Sequence, residues 1–158
     1  ECLGFYDKVV VDGRALCIDV EKNGSKLRII NVYGHTELKE RTALFQILQP
    51  FLCNRRPIIM GGDFNCTPET SGIQGAASTV KKDSSTCALD NLIKDGNLKD
   101  VFRFLNPSDP GYTWSNNKSS SRIDFLFASE GLIPLKGVLI WSRVKHVEEN
   151  EKCTRYIF

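Results

Sequence analysis

Two oxygen-bearing side chains, Asp63 and Asn65, follow an apolar run and two glycines. Residues at i and i+2 of an extended chain point to the same side, so this carboxylate and carboxamide can address one phosphate, water molecule or metal ion. Residues 57–62 have the composition of a buried strand, and ligands of α/β sheets bind beyond the carboxyl ends of such strands. The segment therefore predicts a site, although a Gly-Gly-Asp turn capped by Asn65 is also compatible with it.

Two other predicted strands carry polar groups of the same kind. The strand predicted over residues 27–33 ends at Tyr33. Another strand, predicted over residues 122–128, has Asp124 within an otherwise apolar run. A buried carboxylate is costly unless it is paired or hydrogen-bonded, so we expect Asp124 to have a partner.

The elements that must position these side chains alternate between strands and helices. Asn23-Gly24 predicts a type I′ turn between two strands. Apolar residues at three- and four-residue spacing predict a helix over residues 37–54, with Thr36 as its N-cap. This helix joins strands 27–33 and 57–62 in a parallel crossover. The remaining predictions are strands at 8–11, 15–20, 112–115 and 137–144, a helix at 86–95 ended by Gly96, a surface loop over 66–84 and a polar tail over 146–152.

Length and composition predict one globular domain that covers residues 1–158. Hydrophobic residues make up 41% of the chain and charged residues 25%, which is typical of a soluble protein. The net charge of +2 neither demands nor excludes a polyanionic partner. No apolar run approaches the roughly 18 residues of a membrane span, so no membrane partner is expected.

The six cysteines contain no Cys-x-x-Cys pair. We interpret them as reduced and mostly buried, and a zinc site is not expected without paired spacings. Cys66 lies next to Asn65, but no histidine is close to it in sequence, so a catalytic thiol is not expected.

Four segments occur in an order and at distances that resemble one superfamily: residues 31–33, 62–65, 112–115 and 121–124. Together they resemble the endonuclease/exonuclease/phosphatase superfamily, and most of all the apurinic-type endonuclease domain of LINE-type retrotransposon polyproteins. The resemblance runs from about Gly13 to Leu132. It implies a four-layered α/β sandwich, in which two mixed sheets lie face to face with helices outside.

The resemblance implies hydrolysis of a phosphodiester with Mg²⁺ or Mn²⁺ as the cofactor. By this resemblance Asp63 positions or deprotonates the attacking water, and Asn65 holds the phosphate or helps to fix the metal. The resemblance also implies that Tyr33 donates its phenol to a phosphate oxygen and that Asp124 orients a histidine. A hard cation with oxygen ligands suits this chemistry. The residues expected to contact the DNA substrate are Asn31, Thr113, Trp114, Ser121 and Arg122.

The sequence departs from the family pattern at two places. The metal-binding Glu expected near the start of the domain has no match, because Glu1 and Glu21 lack the surrounding strand pattern. The Ser-Asp-His triplet expected near residues 145–155 is also absent, and only Ser142 and His146 lie in or near that region. We therefore expect a fold that is incomplete at both ends, in an excerpt or a decayed copy, and a chain that is inactive or nearly so.

The expected function is that of a metal-dependent DNA endonuclease domain. The resemblance implies an intracellular protein that acts in the nucleus, in a polyprotein with a reverse transcriptase. Inositol-lipid phosphatases and sphingomyelinases of the superfamily share the Gly-Asp-x-Asn tip, so the substrate is less determined than the fold. Two alternatives remain: a binding module that kept the fold and lost catalysis, and an unrelated α/β domain in which Asp63 and Asn65 cap turns.

Overall fold

The structure is a computed structural model that describes residues 4–53, 56–68, 73–74, 83–116, 118–133, 144–147 and 154–157. Its elements follow the chain as β1 (Gly4–Val11), β2 (Ala15–Lys22), β3 (Ser25–Tyr33), α1 (Leu38–Leu52), β4 (Ile58–Asp63), β5 (Ile73–Gln74), α2 (Ser84–Asp95), β6 (Leu98–Asp100), α3 (Val101–Leu105), β7 (Trp114–Ser115), β8 (Ser120–Ser121), β9 (Asp124–Ser129), a 3₁₀ helix (Glu130–Leu132), β10 (Val144–Val147) and β11 (Thr154–Ile157).

The larger sheet is mixed and has the strand order β1-β2-β3-β4-β9-β6. β3 and β4 are parallel and α1 connects them, so the predicted crossover is confirmed. The other neighbouring strands of this sheet are antiparallel. The turn between β2 and β3 has φ angles of 51° at Asn23 and 77° at Gly24, as a type I′ turn requires.

Both predicted helices form, but their first residues differ from the prediction. The N-cap of α1 is Glu37 and not Thr36, because the Glu37 carbonyl accepts the hydrogen bond of the Arg41 amide at 2.9 Å, whereas the Thr36 carbonyl accepts the Arg41 side chain. α2 begins two residues earlier than predicted, because the carboxylate of Asp83 accepts a hydrogen bond from the Thr86 amide. It ends at Gly96, as predicted.

Helices α1 and α2 cover one face of the larger sheet. Along β3, Ile30 and Val32 are buried in the same core as the inward side chains of α1 and α2, whereas Asn31 and Tyr33 alternate onto the opposite face and are exposed. Beneath the end of β4 lies a group of aromatic rings whose centroids are 5.3–6.1 Å apart. It consists of Phe45, Phe64, Phe125 and Phe127.

The smaller sheet has the strand order β10-β11-β7-β8-β5, and its described pairings are antiparallel. The predicted α/β class, with two sheets and helices outside, is confirmed. The strand predicted over 137–144 lies outside the described residues except for Val144. The tail predicted over 146–152 is in part a strand, because His146 and Val147 belong to β10 and pair with β11. Most of the loop predicted over 66–84 also lies outside the described residues.

The described cysteines have free thiols. Cys17 and Cys66 are buried, whereas Cys53 and Cys87 are exposed.

Candidate functional site

Three of the predicted site residues are level with one another on neighbouring strands. In the parallel pair of β3 and β4, Tyr33 is level with Asp63, and in the antiparallel pair of β4 and β9, Asp63 is level with Asp124. Level residues present their side chains on the same face of a sheet. The phenol and the two carboxylates, here called the strand-end row, therefore share one end of the larger sheet, on the face away from the helices.

Two glycines allow the backbones to approach closely beside this row. Gly62 has a φ of 137°, and a Cβ atom there would overlap the Val32 carbonyl oxygen on β3. A Cβ atom at Gly34 would overlap the Phe64 carbonyl. The close approach lets the Gly34 amide donate to the Asp63 carbonyl at 2.6 Å. The loop after β3 is thereby tied to the end of β4.

Asp63 and Asn65 form a tight turn with each other. The Oδ1 atom of Asp63 accepts a hydrogen bond from the Asn65 amide at 2.9 Å, and Asn65 has a φ of 47°. The Asn65 side-chain nitrogen donates to the Gly34 carbonyl at 2.8 Å, which leaves its amide oxygen for a ligand. The Gly-Gly-Asp turn expected as an alternative does not form, because Gly61, Gly62 and Asp63 belong to β4. The turn from Asp63 to Asn65 follows the strand and holds the two side chains.

Asp63 and Asn65 fit a divalent cation in the type of atom they offer, because Mg²⁺ prefers carboxylate and carbonyl oxygens. Within the described ranges, no group of three or more His, Cys, Asp or Glu side chains could hold a metal ion. The described residues therefore offer a divalent cation two oxygen ligands, from Asp63 and Asn65.

Asp124 is a largely buried carboxylate of the row, and its pKa is shifted by that burial. Its Oδ2 atom is buried and has no hydrogen-bond partner among the described residues. Burial raises the pKa of Asp124 from 3.8 to about 6, and the hydrogen bond with Thr113 acts in the opposite direction. Thr113 is thus one of the partners that the sequence analysis expected for the buried Asp124 carboxylate.

The histidine expected beside Asp124 is not seen there in the described part of the chain. His35 follows the loop glycine Gly34, and its Nδ1 atom lies 2.9 Å from the Glu40 carboxylate. The backbone of His146 lies in β10 of the smaller sheet, level with Arg155. The orienting role predicted for Asp124 stays a prediction.

The raised pKa of Asp124 makes a testable contribution to stability. Because the folded-state pKa of about 6 lies above the ordinary value of 3.8, the folded protein binds more protons between these pH values. This group's contribution to the free energy of unfolding therefore falls as the pH rises from 3.8 to about 6, and it is constant above that. We expect Asp124→Asn to raise the free energy of unfolding at pH 7 by roughly 1–3 kcal/mol relative to wild type.

Urea denaturation at several pH values between 4 and 8 measures this difference. The gap between Asp124→Asn and wild type should widen as the pH rises to about 6. Asp95→Asn, which changes a carboxylate bonded to Gln49 on the protein surface, is the control. A gap that is the same at every pH would contradict the prediction.

Thr113 lies inside the protein and not on an open surface. It is 0% exposed, and its hydroxyl oxygen accepts hydrogen bonds from the backbone amides of Ile123 and Asp124, both at 3.1 Å. Its own amide donates to the Ser121 carbonyl at 3.1 Å. Thr113 is therefore placed to hold the start of β9, and the structure does not bring it to a surface where DNA could bind.

Arg122 is also interior. It is 1% exposed, its Nη2 atom lies 2.6 Å from the Asp100 carboxylate, and its guanidinium stacks over Phe125 at 4.6 Å from the ring centroid. This interior placement does not agree with the DNA contact predicted for Arg122. The prediction came from an apolar strand pattern, which does not reveal which side of a strand end is covered. Of the other predicted contacts, Asn31 is exposed two residues before Tyr33, and Trp114 is level with Ser121 in the smaller sheet.

Arg14 is a residue of the site that the sequence analysis missed. Its guanidinium carbon lies 4.7 Å from the centroid of the Tyr33 ring, and its carbonyl accepts the Tyr33 amide at 2.7 Å. Among the described residues Arg14 has no acidic partner. A cation over an aromatic ring contributes about 0.5–1 kcal/mol at exposed sites. The signal that could have found it is the Asp-Gly-Arg turn directly before a strand.

The mixed sheet with helices on one face and polar strand ends agrees with the α/β nuclease-type fold that the sequence segments resemble. Residues 12–144 match the model of the Endonuclease/Exonuclease/phosphatase family, and the chain belongs to that family. The resemblance found in the four sequence segments is thus confirmed. The chain is 32% identical over 131 residues to the transposon TX1 uncharacterized 149 kDa protein of Xenopus laevis. This match covers 78% of the chain but only 10% of the TX1 protein.

Three solved structures share the fold, each with a TM-score of 0.60. The endonuclease domain of TRAS1, a telomere-specific non-LTR retrotransposon, is 14% identical, and the match covers 98% of this chain and 66% of that one. The 3′ phosphatase NExo from Neisseria, bound to a product DNA hairpin, is 18% identical, with 90% and 64% covered. The AP endonuclease LMAP from Leishmania major is 18% identical, with 77% and 47% covered. None of the described helices is long and apolar enough to cross a membrane.

Proposed function

We propose that this chain is a divalent-metal-dependent phosphodiester hydrolase domain that acts on DNA. The observation that carries the proposal is the strand-end row, in which Tyr33, Asp63 and Asp124 are level on three neighbouring strands. The TX1 relative is a transposon protein, and the TRAS1 neighbour is a retrotransposon endonuclease domain, which supports a nuclease of this kind.

In the proposed reaction water attacks the phosphorus atom, and the bond from phosphorus to the leaving oxygen breaks with its electron pair on that oxygen, which takes a proton from solvent. The Asp63 carboxylate orients the water and accepts its proton. The Tyr33 phenol donates a hydrogen bond to a phosphate oxygen. Asp63 and Asn65 would hold Mg²⁺ or Mn²⁺, and a bound cation supplies neutralisation of the charge on the phosphate.

The proposal extends to the setting of the domain. We place it in a polyprotein that also carries a reverse transcriptase, with genomic DNA in the nucleus as its substrate. What supports this setting is the name of the TX1 relative, a transposon protein of 149 kDa.

Nicking of supercoiled plasmid by the purified chain tests the proposal. We expect slow conversion to the open circle with Mn²⁺ or Mg²⁺ and none with EDTA. Cleavage that continues in EDTA would contradict the metal dependence. Salt-sensitive DNA binding without any cleavage would contradict the enzyme and favour a binding module on the same fold.

Arg14 provides a prediction about DNA binding that does not depend on cleavage. Because its charge lies beside Tyr33 without a described acidic partner, we expect it to contact a phosphate. Arg14→Gln should weaken binding to any duplex sequence and reduce the slope of log affinity against log salt by about 1. Fluorescence anisotropy of a labelled duplex at several NaCl concentrations measures both quantities.

Lys26→Gln is the matched control for this experiment. It removes one positive charge from β3, the strand that ends at Tyr33, but near the opposite end of that strand, where Lys26 lies 3.7 Å from the Glu21 carboxylate. Equal slopes for the two variants would show that Arg14 makes no specific phosphate contact.

A further inference from the structure

We infer that Arg41 is a positioning residue for the candidate site: from the first turns of α1 it fixes both loops that follow β3 and β4. The inference rests on the proposed function, since these loops adjoin Tyr33 on one side and contain Asn65 on the other. It adds a residue that neither the sequence pattern nor the strand-end row includes.

Arg41 holds the loop after β3 through two backbone carbonyls. The residue is only 8% exposed, and its Nη1 atom donates to the carbonyls of His35 at 2.9 Å and Thr36 at 2.8 Å. A guanidinium offers its N–H groups in one rigid plane, so the two carbonyls are held in fixed directions. These residues come directly after Tyr33 and Gly34.

The other edge of the same guanidinium holds the start of α2. Its Nε atom donates to the Ser85 hydroxyl at 2.9 Å, and its Nη2 atom lies 3.6 Å from the Asp83 carboxylate. Asp83 in turn accepts hydrogen bonds from the Ser85 hydroxyl at 2.7 Å and from the Thr86 amide at 2.8 Å. One buried side chain thus fixes the first turn of α2 against α1.

From α2 the contacts continue to the loop after β4. The Cys66 sulfur lies 3.6 Å from the Thr86 hydroxyl and 3.8 Å from the Ser85 hydroxyl. Cys66 is 6% exposed and directly follows Asn65, so these contacts reach the residue beside the proposed metal ligand. Buried polar networks of this kind rigidify the segments that they connect.

The two loops also bind each other, so they respond as a unit. The Gly34 amide donates to the Asp63 carbonyl, and the Asn65 side chain donates to the Gly34 carbonyl. Arg41 restrains this unit from both sides, at the His35 and Thr36 carbonyls and through Ser85. Loss of the guanidinium should therefore loosen the turn that orients Asp63 and Asn65.

Arg28 provides a matched control for Arg41. Its guanidinium is also mostly buried and also makes three hydrogen bonds, two to the Asp19 carboxylate and one to the Phe51 carbonyl, each at 2.7 Å. It lies near the opposite end of β3, away from the site loops. Arg41→Met and Arg28→Met therefore remove similar sets of contacts at different places.

Amide hydrogen exchange followed by NMR separates positioning from general stabilisation. The amides of Gly34 and Asn65 report on the site loops, because both donate to Asp63. In Arg41→Met we expect their exchange to accelerate by about tenfold or more relative to the amides of Ile30 and Met60 in the adjoining strands. In Arg28→Met we expect all four amides to accelerate only in proportion to the loss of global stability.

Two further variants keep the test decisive if Arg41→Met does not fold. Arg41→Lys keeps the charge but cannot reach all the acceptors, so the loop amides should show an intermediate acceleration. Ser85→Ala leaves Arg41 in place and removes the Ser85 hydroxyl that joins it to Cys66, whereas the contact between Thr86 and Cys66 remains. Asn65 should therefore respond more than Gly34. Equal acceleration at loop and strand amides in these variants would overturn the inference.

Nicking assays distinguish this inference from the proposed function. If wild type nicks DNA, Arg41→Met should lose more activity than Arg28→Met at the same folded fraction. If wild type does not nick DNA, the proposed function fails, and the exchange rates of Gly34 and Asn65 still judge the role of Arg41.

Discussion

Asp63→Asn is expected to lower metal-dependent nicking by about 100-fold or more without unfolding the protein. The asparagine oxygen can still accept the Asn65 amide, so the turn between the two residues is retained. What is lost is the negative charge that would hold the cation and the basicity that would take a proton from water. A large loss of rate with a small change in stability is therefore the signature of the proposed role.

The initial rate of plasmid nicking, measured at several Mn²⁺ concentrations, gives the loss of activity in Asp63→Asn. A thermal melt of the same preparations checks the folded fraction. Asp95→Asn removes a carboxylate from the end of α2, which accepts a hydrogen bond from Gln49 at 2.6 Å, and should nick at the wild-type rate. If Asp63→Asn nicks as fast as Asp95→Asn, the cleavage does not come from this site.

Gly62→Ala is expected to lower the free energy of unfolding by about 3 kcal/mol or more. Its φ of 137° is a conformation that residues with a side chain rarely adopt, and the new Cβ atom would overlap the Val32 carbonyl oxygen. Relief of that overlap requires β3 and β4 to separate at the level next to Tyr33 and Asp63. We therefore also expect any folded Gly62→Ala protein to lose nicking activity.

Two other glycines separate the cost of the positive φ angle from the cost of the steric overlap. Gly24 has a φ of 77° but open space around its Cβ direction, so Gly24→Ala should cost only about 1 kcal/mol. Gly131 has open space and no unusual φ, so Gly131→Ala should change stability little. Urea unfolding followed by circular dichroism compares the three variants. A cost for Gly62→Ala no larger than that for Gly24→Ala would show that the strands can separate freely.

Much of the fold follows from local signals in the sequence. Asn23-Gly24 predicted its turn because these two residue types adopt positive φ angles readily, whatever surrounds them in the fold. The crossover from β3 through α1 to β4 followed from changes in apolar period over residues 27–62. The start of α2 was missed, because Asp83 follows a stretch without periodic pattern and its capping role depends on the Thr86 amide.

The sequence by itself determined that polar groups follow apolar strands at Tyr33 and Asp63, because strand period and turn chemistry act over a few residues. It also carried the four segments by which the family was identified.

Only the tertiary structure decided how the groups at these strand ends are arranged. The alignment of Tyr33, Asp63 and Asp124 across the sheet depends on the register between strands that lie about 30 and 60 residues apart in the chain. Arg122 became interior because Asp100 and Phe125 receive its charge and its planar face. Arg41 acquired its place at the site because two loops and a second helix present acceptors to one guanidinium, and such a convergence has no local sequence pattern.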